Sequence, residues 1–215
     1  MSTSLIYRST IGYELLMRGL YGRHYADRMR AIAAEVPAGS TVLELCCGPA
    51  MLYRRFLRGR TGSYVGIDVI PGFVAALRRR GIDARERDLA ADDSPLPSAD
   101  VVIIQASLYH FLPRPELIVD RMLAAAQDRA IVSEPVRNLA SSGVPIIRIV
   151  GRHAADPGTG GHAQRFDERS LHEFMGRYRE RVLKEFAIPG GRDRVYVLRG
   201  ETRPPDRRSE TAAGP

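Results

Sequence analysis

The chain has no tryptophan and only two cysteines in 215 residues. Cys46 and Cys47 are adjacent, so they cannot close an ordinary structural disulfide, and no other cysteine is present to pair with either. They also lack the spacing of a zinc site, which leaves them as small residues filling a tight turn, and no metal is expected. Lysine is almost missing: Lys184 stands alone, and arginine supplies nearly all the positive charge. The arginines are scattered over helix faces and ends rather than gathered in one block. That pattern fits solvated surface better than a nucleic-acid footprint, although the formal net charge of +7 keeps an anionic partner in view. No apolar run approaches the roughly 18 residues of a membrane span. Residues 1–10 lack the basic start and apolar stretch of a secretory signal. These absences point to a cytoplasmic protein.

What is present suits one α/β domain. Hydrophobic residues make up 44% and charged residues 27%, and the length is short for two domains. Residues 4–36 carry apolar residues at helical spacing, and Gly12, Gly19 and Gly22 divide them into two helices. The pattern then changes to short apolar strands over 41–46, 64–69, 82–87, 101–105 and 129–133. Helices are expected between them: one bearing Leu52, Phe56 and Leu57, one opened by Pro71 and stopped at Gly81, and one over 115–127. Strand and helix in alternation imply right-handed crossovers and a parallel sheet.

Beyond Glu134 the order differs. A helix kinked near Pro145 is expected over 138–150, then a glycine-rich loop, then a helix starting near Asp167 or Ser170, where Ser170 and Glu173 have the spacing of a capping box. Two strands, 182–188 and 195–199, flank Pro189-Gly-Gly-Arg-Asp and predict an antiparallel hairpin. The tail from Gly200 carries no core-forming residues and is expected to be disordered.

The chemistry resides in a spacing. A first strand ends in Glu44-Leu-Cys-Cys-Gly48, and Asp68 ends the second strand 20 residues after Gly48. In a doubly wound sheet both ends lie at the edge where strand order reverses and ligands bind. A glycine there lets a ligand approach the backbone, and a carboxylate at that distance accepts from both ribose hydroxyls, so a nucleoside-containing ligand is expected. A dinucleotide fingerprint needs three glycines to seat a pyrophosphate, whereas this turn has one, which argues against a nicotinamide oxidoreductase. A ligand without phosphate, carrying a sulfonium and an amino-acid end, suits the turn better, and the Glu44 carboxylate would attract its positive charge.

Thr41-Val-Leu-Glu-Leu-Cys-Cys-Gly-Pro-Ala50 resembles the first motif of the class I S-adenosylmethionine-dependent methyltransferases, and Tyr64-Val-Gly-Ile-Asp68 resembles their second. Asp88-Leu89 is similar to their adenine-holding segment, residues 98–111 to the fourth strand and its loop, and Ala130-Ile-Val-Ser-Glu-Pro135 with the late hairpin to strands five to seven. The resemblance runs from about Val36 to Arg199. It departs at Cys46, where the family usually has glycine, and at Ala50, where it often does; both are small, so an altered turn rather than a lost site is expected.

The resemblance implies a doubly wound, mostly parallel seven-stranded sheet with an antiparallel last strand. Residues 1–36 would form a helical lid and 37–199 the cofactor-binding domain, with a substrate loop near 151–166 and a tail over 200–215. Glu44, Cys46 and Gly48 would surround the methionine part of S-adenosylmethionine, and Asp68 its ribose. Ile70 would lie on the adenine face, Asp88 and Leu89 would bond the ring, and Gln105 would stand near the transferred methyl; S-adenosylhomocysteine would be the product. His110, with an unperturbed pKa near 6.5, is the candidate base, with Tyr109 beside it. Tyr21 and Tyr25 of the lid, and His162 and Arg165 of the loop, are candidate acceptor contacts. A small molecule is the leading acceptor class. RNA or protein is the alternative, and a lapsed binder of the cofactor is the less favoured outcome.

Overall fold

A computed structural model describes residues 24–136 and 165–201. Helix α1 (His24–Ala34) precedes β1 (Thr41–Leu45), and a π-helical stretch, Tyr53–Leu57, leads to β2 (Ser63–Asp68). Then follow α2 (Pro71–Arg78), β3 (Ala84–Glu86), β4 (Ala99–Gln105), a 3-10 turn at Leu108–Phe111, α3 (Glu116–Ala125) and β5 (Ala126–Pro135). The last described part is α4 (Glu168–Met175), a 3-10 turn at Gly176–Arg181, β6 (Val182–Ala187) and β7 (Asp193–Arg199).

The seven strands are ordered β3-β2-β1-β4-β5-β7-β6. β1 to β5 pair in parallel, and β7 runs antiparallel to both its neighbours, β5 and β6. This is the mixed sheet expected from the sequence. Strand order reverses between β1 and β4, which places their C-terminal ends at a ligand-binding edge.

Two apolar layers flank the sheet. On the α1 face, Met29 and Ile32 pack on Val42, Val101, Ile131 and Val197; on the other, Ile118 and Met122 of α3 pack on Leu43, Val102 and Val132. Val101 to Ile104 are all fully buried, as a central strand covered on both faces requires. α2 opens with Pro71 at its first position, and Gly81 takes φ +70° where the chain leaves it. Among the described residues no helix is long and apolar enough to cross a membrane.

Three local expectations are corrected. The helix expected over 115–127 stops at Ala125, because Ala126 pairs with Ala99 and begins β5 directly. The capping box of α4 lies one turn earlier than expected. Asp167 is the N-cap, its side chain accepting from the Ser170 amide at 2.7 Å, while the Ser170 hydroxyl accepts from the Asp167 amide at 2.9 Å. The ordered chain also continues past Arg199. The Gly200 amide donates to the Asp128 carbonyl, and a Cβ at Gly200 would sit 2.3 Å from the Ala126 carbonyl oxygen, so only glycine fits. The kinked helix expected over 138–150, the glycine-rich loop before Arg165, the lid residues before His24 and the tail after Glu201 lie outside the described residues.

Candidate functional site

Beyond β1 the chain makes a turn in which Cys46, Gly48 and Ala50 have φ of +51°, +53° and +51°. Ala106, just after β4, has φ +50°. An L-residue in the left-handed region is strained by about 1–2 kcal/mol. Three such non-glycine residues therefore concentrate backbone strain at one edge of the sheet, a common feature of ligand sites. The Cys46 and Ala50 replacements thus keep a glycine-like turn.

Asp68 ends β2 inside this turn. One of its carboxylate oxygens accepts from the Gly48 amide at 2.7 Å, the other from the Ile70 amide at 2.9 Å. The two bonds fix the carboxylate and leave each oxygen with further accepting capacity. Asp68 is buried, and that burial raises its pKa above the usual carboxylate value while the amides pull it down.

A cavity of about 1080 Å³ opens here, lined among others by Cys46, Gly48, Asp68, Ile70, Asp88 and Leu89, and on its far wall by Tyr109 and His110. Asp88 is exposed; one oxygen accepts from the Ala90 amide at 3.0 Å. Leu89 is buried, and its carbonyl accepts from Arg121. Six of the eight predicted cofactor residues thus share one cavity.

The other two, Glu44 and Gln105, meet each other outside that lining. Glu44 is 1% exposed; its carboxylate accepts from the Tyr64 hydroxyl at 2.7 Å and from Gln105 Nε2 at 2.6 Å. The Tyr64 ring stacks on Tyr53 with centroids 4.0 Å apart. Burial lifts the Glu44 carboxyl to about 7 despite both bonds. Beside this group, Gln105 Oε1 and Ser133 Oγ are buried without a hydrogen-bond partner among the described residues. Such atoms call for water or a ligand.

At the far wall, residues of the 3-10 turn after β4 stand together: the Tyr109 and His110 ring centroids are 3.9 Å apart. The turn is pinned by Glu134, at the end of β5, whose carboxylate accepts from the Leu108 amide at 3.0 Å. Glu134 is 1% exposed, and burial pushes its carboxyl up to about 8. Arg165 lays its guanidinium over the Tyr109 ring, 3.2 Å from the centroid. Arg165 and Tyr109, both predicted, are thus in contact. Glu134 and Tyr64 were missed. A signal for Glu134 existed, since an acid ends the otherwise apolar run Ala130-Ile-Val-Ser-Glu. Tyr21, His162 and the Tyr25 side chain lie outside the described residues. Among the described residues no cluster of three or more His, Cys, Asp or Glu could hold a metal ion.

A family model described as a methyltransferase domain matches residues 42–130. Trans-aconitate 2-methyltransferase of Mycolicibacterium gilvum is 35% identical over 99 residues, which are 46% of this chain and 38% of that enzyme. Over this stretch the chain is similar to S-adenosylmethionine-dependent methyltransferases. Among solved structures, magnesium protoporphyrin IX methyltransferase of Synechocystis PCC 6803, determined with bound S-adenosylhomocysteine, has a TM-score of 0.60 at 15% identity and covers 91% of this chain and 97% of that one. The [4+2]-cyclase SpnF has a TM-score of 0.57 at 17% identity, covering 88% and 75%. At these identities the likeness concerns the methyltransferase fold, and the cyclase shows that this fold alone does not fix an activity. The chain spans less than half the length of the curated relatives it matches.

Proposed function

We propose that the chain transfers a methyl group from S-adenosylmethionine to a small-molecule acceptor. The observation that carries this reading is the Asp68 carboxylate, fixed by two backbone amides in a cavity beside a left-handed turn. It fits a ribose diol, since both oxygens keep accepting capacity. Ile70 supplies an apolar face for adenine, Asp88 keeps an accepting oxygen for the exocyclic amine, and the Leu89 amide is the ring's donor. The unpartnered Gln105 Oε1 suits an ammonium or sulfonium next to Cys46 and Gly48, so the residues present fit the cofactor.

The cofactor supplies a methyl already activated by positively charged sulfur. What the protein adds is alignment and exclusion of water, worth effective molarities on the order of 10⁵ M or more for well-oriented pairs. His110, which lines the cavity, would take a proton where the acceptor must lose one. His110→Ala is expected to lower turnover about tenfold or more with the cofactor affinity unchanged; equal turnover would make His110 a structural residue.

The small-molecule reading is supported by a relative named for a small acid substrate. The net charge of +7 favours RNA or protein as the second reading. Transfer of labelled methyl into a cell lysate, separated into small-molecule extract, RNA and protein, tests both. Label in the extract supports the first reading, and label in RNA or protein the second. No label with cofactor binding intact would make the chain a non-catalytic binder.

A further inference from the structure

Resting on the methyltransferase reading, we propose that Arg165 receives a carboxylate of the acceptor, so that the acceptor is a carboxylate-bearing small molecule. Three observations converge on this. The first is the state of the arginines: Arg87, Arg114 and Arg121 line the cavity, Arg114 exposed with Glu116 4.0 Å away, and Arg165 stands beside the lining, against Tyr109. Arg87 donates to Asp92, Ser94 and Pro95, and Arg121 donates to the carbonyls of Leu89 and Ser94. Both are committed to shaping the loop after β3. Arg165 is partly buried, yet it makes no hydrogen bond and no ion pair with any described residue.

The second is how Arg165 is held. Its guanidinium lies 3.2 Å from the centroid of Tyr109, whose ring also lines the cavity that contains Cys46 and Asp68. With one face covered by a ring, a guanidinium presents its N–H groups edge-on. That is the planar fork that matches a carboxylate with two parallel hydrogen bonds. Stacking also fixes the side chain before the ligand arrives, which removes much of the rotamer entropy that binding would otherwise cost.

The third is the nearest acid. Glu134 faces Arg165 but its carboxylate is engaged with the Leu108 amide, and burial keeps it largely protonated at neutral pH. Glu134 therefore makes no hydrogen-bonded ion pair with Arg165. A partly buried cation with no counter-ion bonded to it among the described residues is unfavourable, and a carboxylate ligand would supply one.

The test uses the full chain loaded with S-adenosylhomocysteine and calorimetric titration at fixed ionic strength. The probes are succinate, glutarate and benzoate, each alongside its methyl ester, with inorganic phosphate as a further anion. The expected result is that at least one carboxylate binds, that its ester binds at least tenfold more weakly, and that Arg165→Gln weakens the carboxylate tenfold or more. Arg165→Lys should restore part of the affinity, since the charge remains and the fork is lost. S-adenosylhomocysteine affinity and melting temperature should be the same in all three proteins, which separates a lost contact from a lost fold. Equal binding of acid and ester, tighter binding of phosphate than of any carboxylate, or an Arg165→Gln protein that still binds the carboxylate would overturn the proposal. So would a protein that binds S-adenosylhomocysteine but none of the acids. Absence of S-adenosylhomocysteine binding in the unaltered protein would instead overturn the methyltransferase reading beneath it.

Discussion

The proposed cofactor side and the proposed acceptor side of this sheet edge hold their charges by opposite means. On the cofactor side a carboxylate, Asp68, is gripped by two backbone amides, and its neighbour Glu44 is enclosed by Tyr64 and Gln105. On the acceptor side the Arg165 guanidinium lies on a ring face with no acceptor bonded to it among the described residues, and the buried acid Glu134 is turned to a loop amide. A charge gripped by the backbone has a fixed orientation and a satisfied environment, which suits a cofactor used in every turnover. A charge held by stacking alone is aimed but unsatisfied, which suits a group whose partner comes and goes.

The largest expected effect separates the two buried glutamates. A carboxyl whose folded value lies above its unfolded value binds more protons in the folded state between the two. Stability is then greatest near or below the unfolded value of 4.5 and falls as pH rises through the folded values of about 7 for Glu44 and about 8 for Glu134. Each tenfold change in proton affinity corresponds to about 1.4 kcal/mol, so the ligand-free protein should lose a few kcal/mol between roughly pH 5 and pH 8. Glu44→Gln should flatten the part of the decline that ends near 7, and Glu134→Gln the part that extends to about 8. Denaturant melts across this range measure both; an unchanged slope in either variant would remove that carboxyl from the account.

Next in size is the loss of the gripped carboxylate itself. Asp68→Ala should weaken S-adenosylmethionine binding by roughly 1.5–3 kcal/mol, the scale of hydrogen bonds to a charged group. Calorimetry that returned the same affinity would dismantle the cofactor side as drawn, while leaving the arrangement around Arg165 in place.

The two sides also differ in how well they could be read from residues alone. The strands were legible because four of them are apolar runs bounded by turn signals, and Asp68 was legible because its spacing from Gly48 and its place after a strand are local facts. Arg165 could be named as a candidate from its loop, but nothing local tells that it stacks on Tyr109, a residue of a distant strand end. The partners of Glu44 were hidden for the same reason, since Tyr64 and Gln105 come from two other strands. The end of α3 was misread because Ala124-Ala-Ala-Gln127 suits a helix; it is the pairing of Ala126 with Ala99 that converts the chain to strand. At α4, two residues with capping chemistry lie three apart, and only the extended backbone at Asp167 decides which one is the cap.

The smallest expected effect concerns the turn that makes the cofactor side possible. Ala50 is fully buried with φ +51°. Ala50→Gly relieves about 1 kcal/mol or somewhat more of left-handed strain. It also removes a buried methyl, a loss of about 0.8 kcal/mol, and adds freedom to the unfolded chain that offsets a further 0.5–1 kcal/mol or so. These terms nearly cancel, so the change in stability should stay within about 1 kcal/mol of zero, and cofactor affinity should not move, because the Asp68 bond to the Gly48 amide is untouched. A gain well beyond that would mean that the turn stores more strain than its dihedral angles indicate. A fall in affinity would mean that the Ala50 methyl, rather than the backbone path, sets where the Gly48 amide points. Either result would shift the basis of the cofactor side from backbone geometry to side-chain packing and weaken its contrast with the stacked arginine opposite.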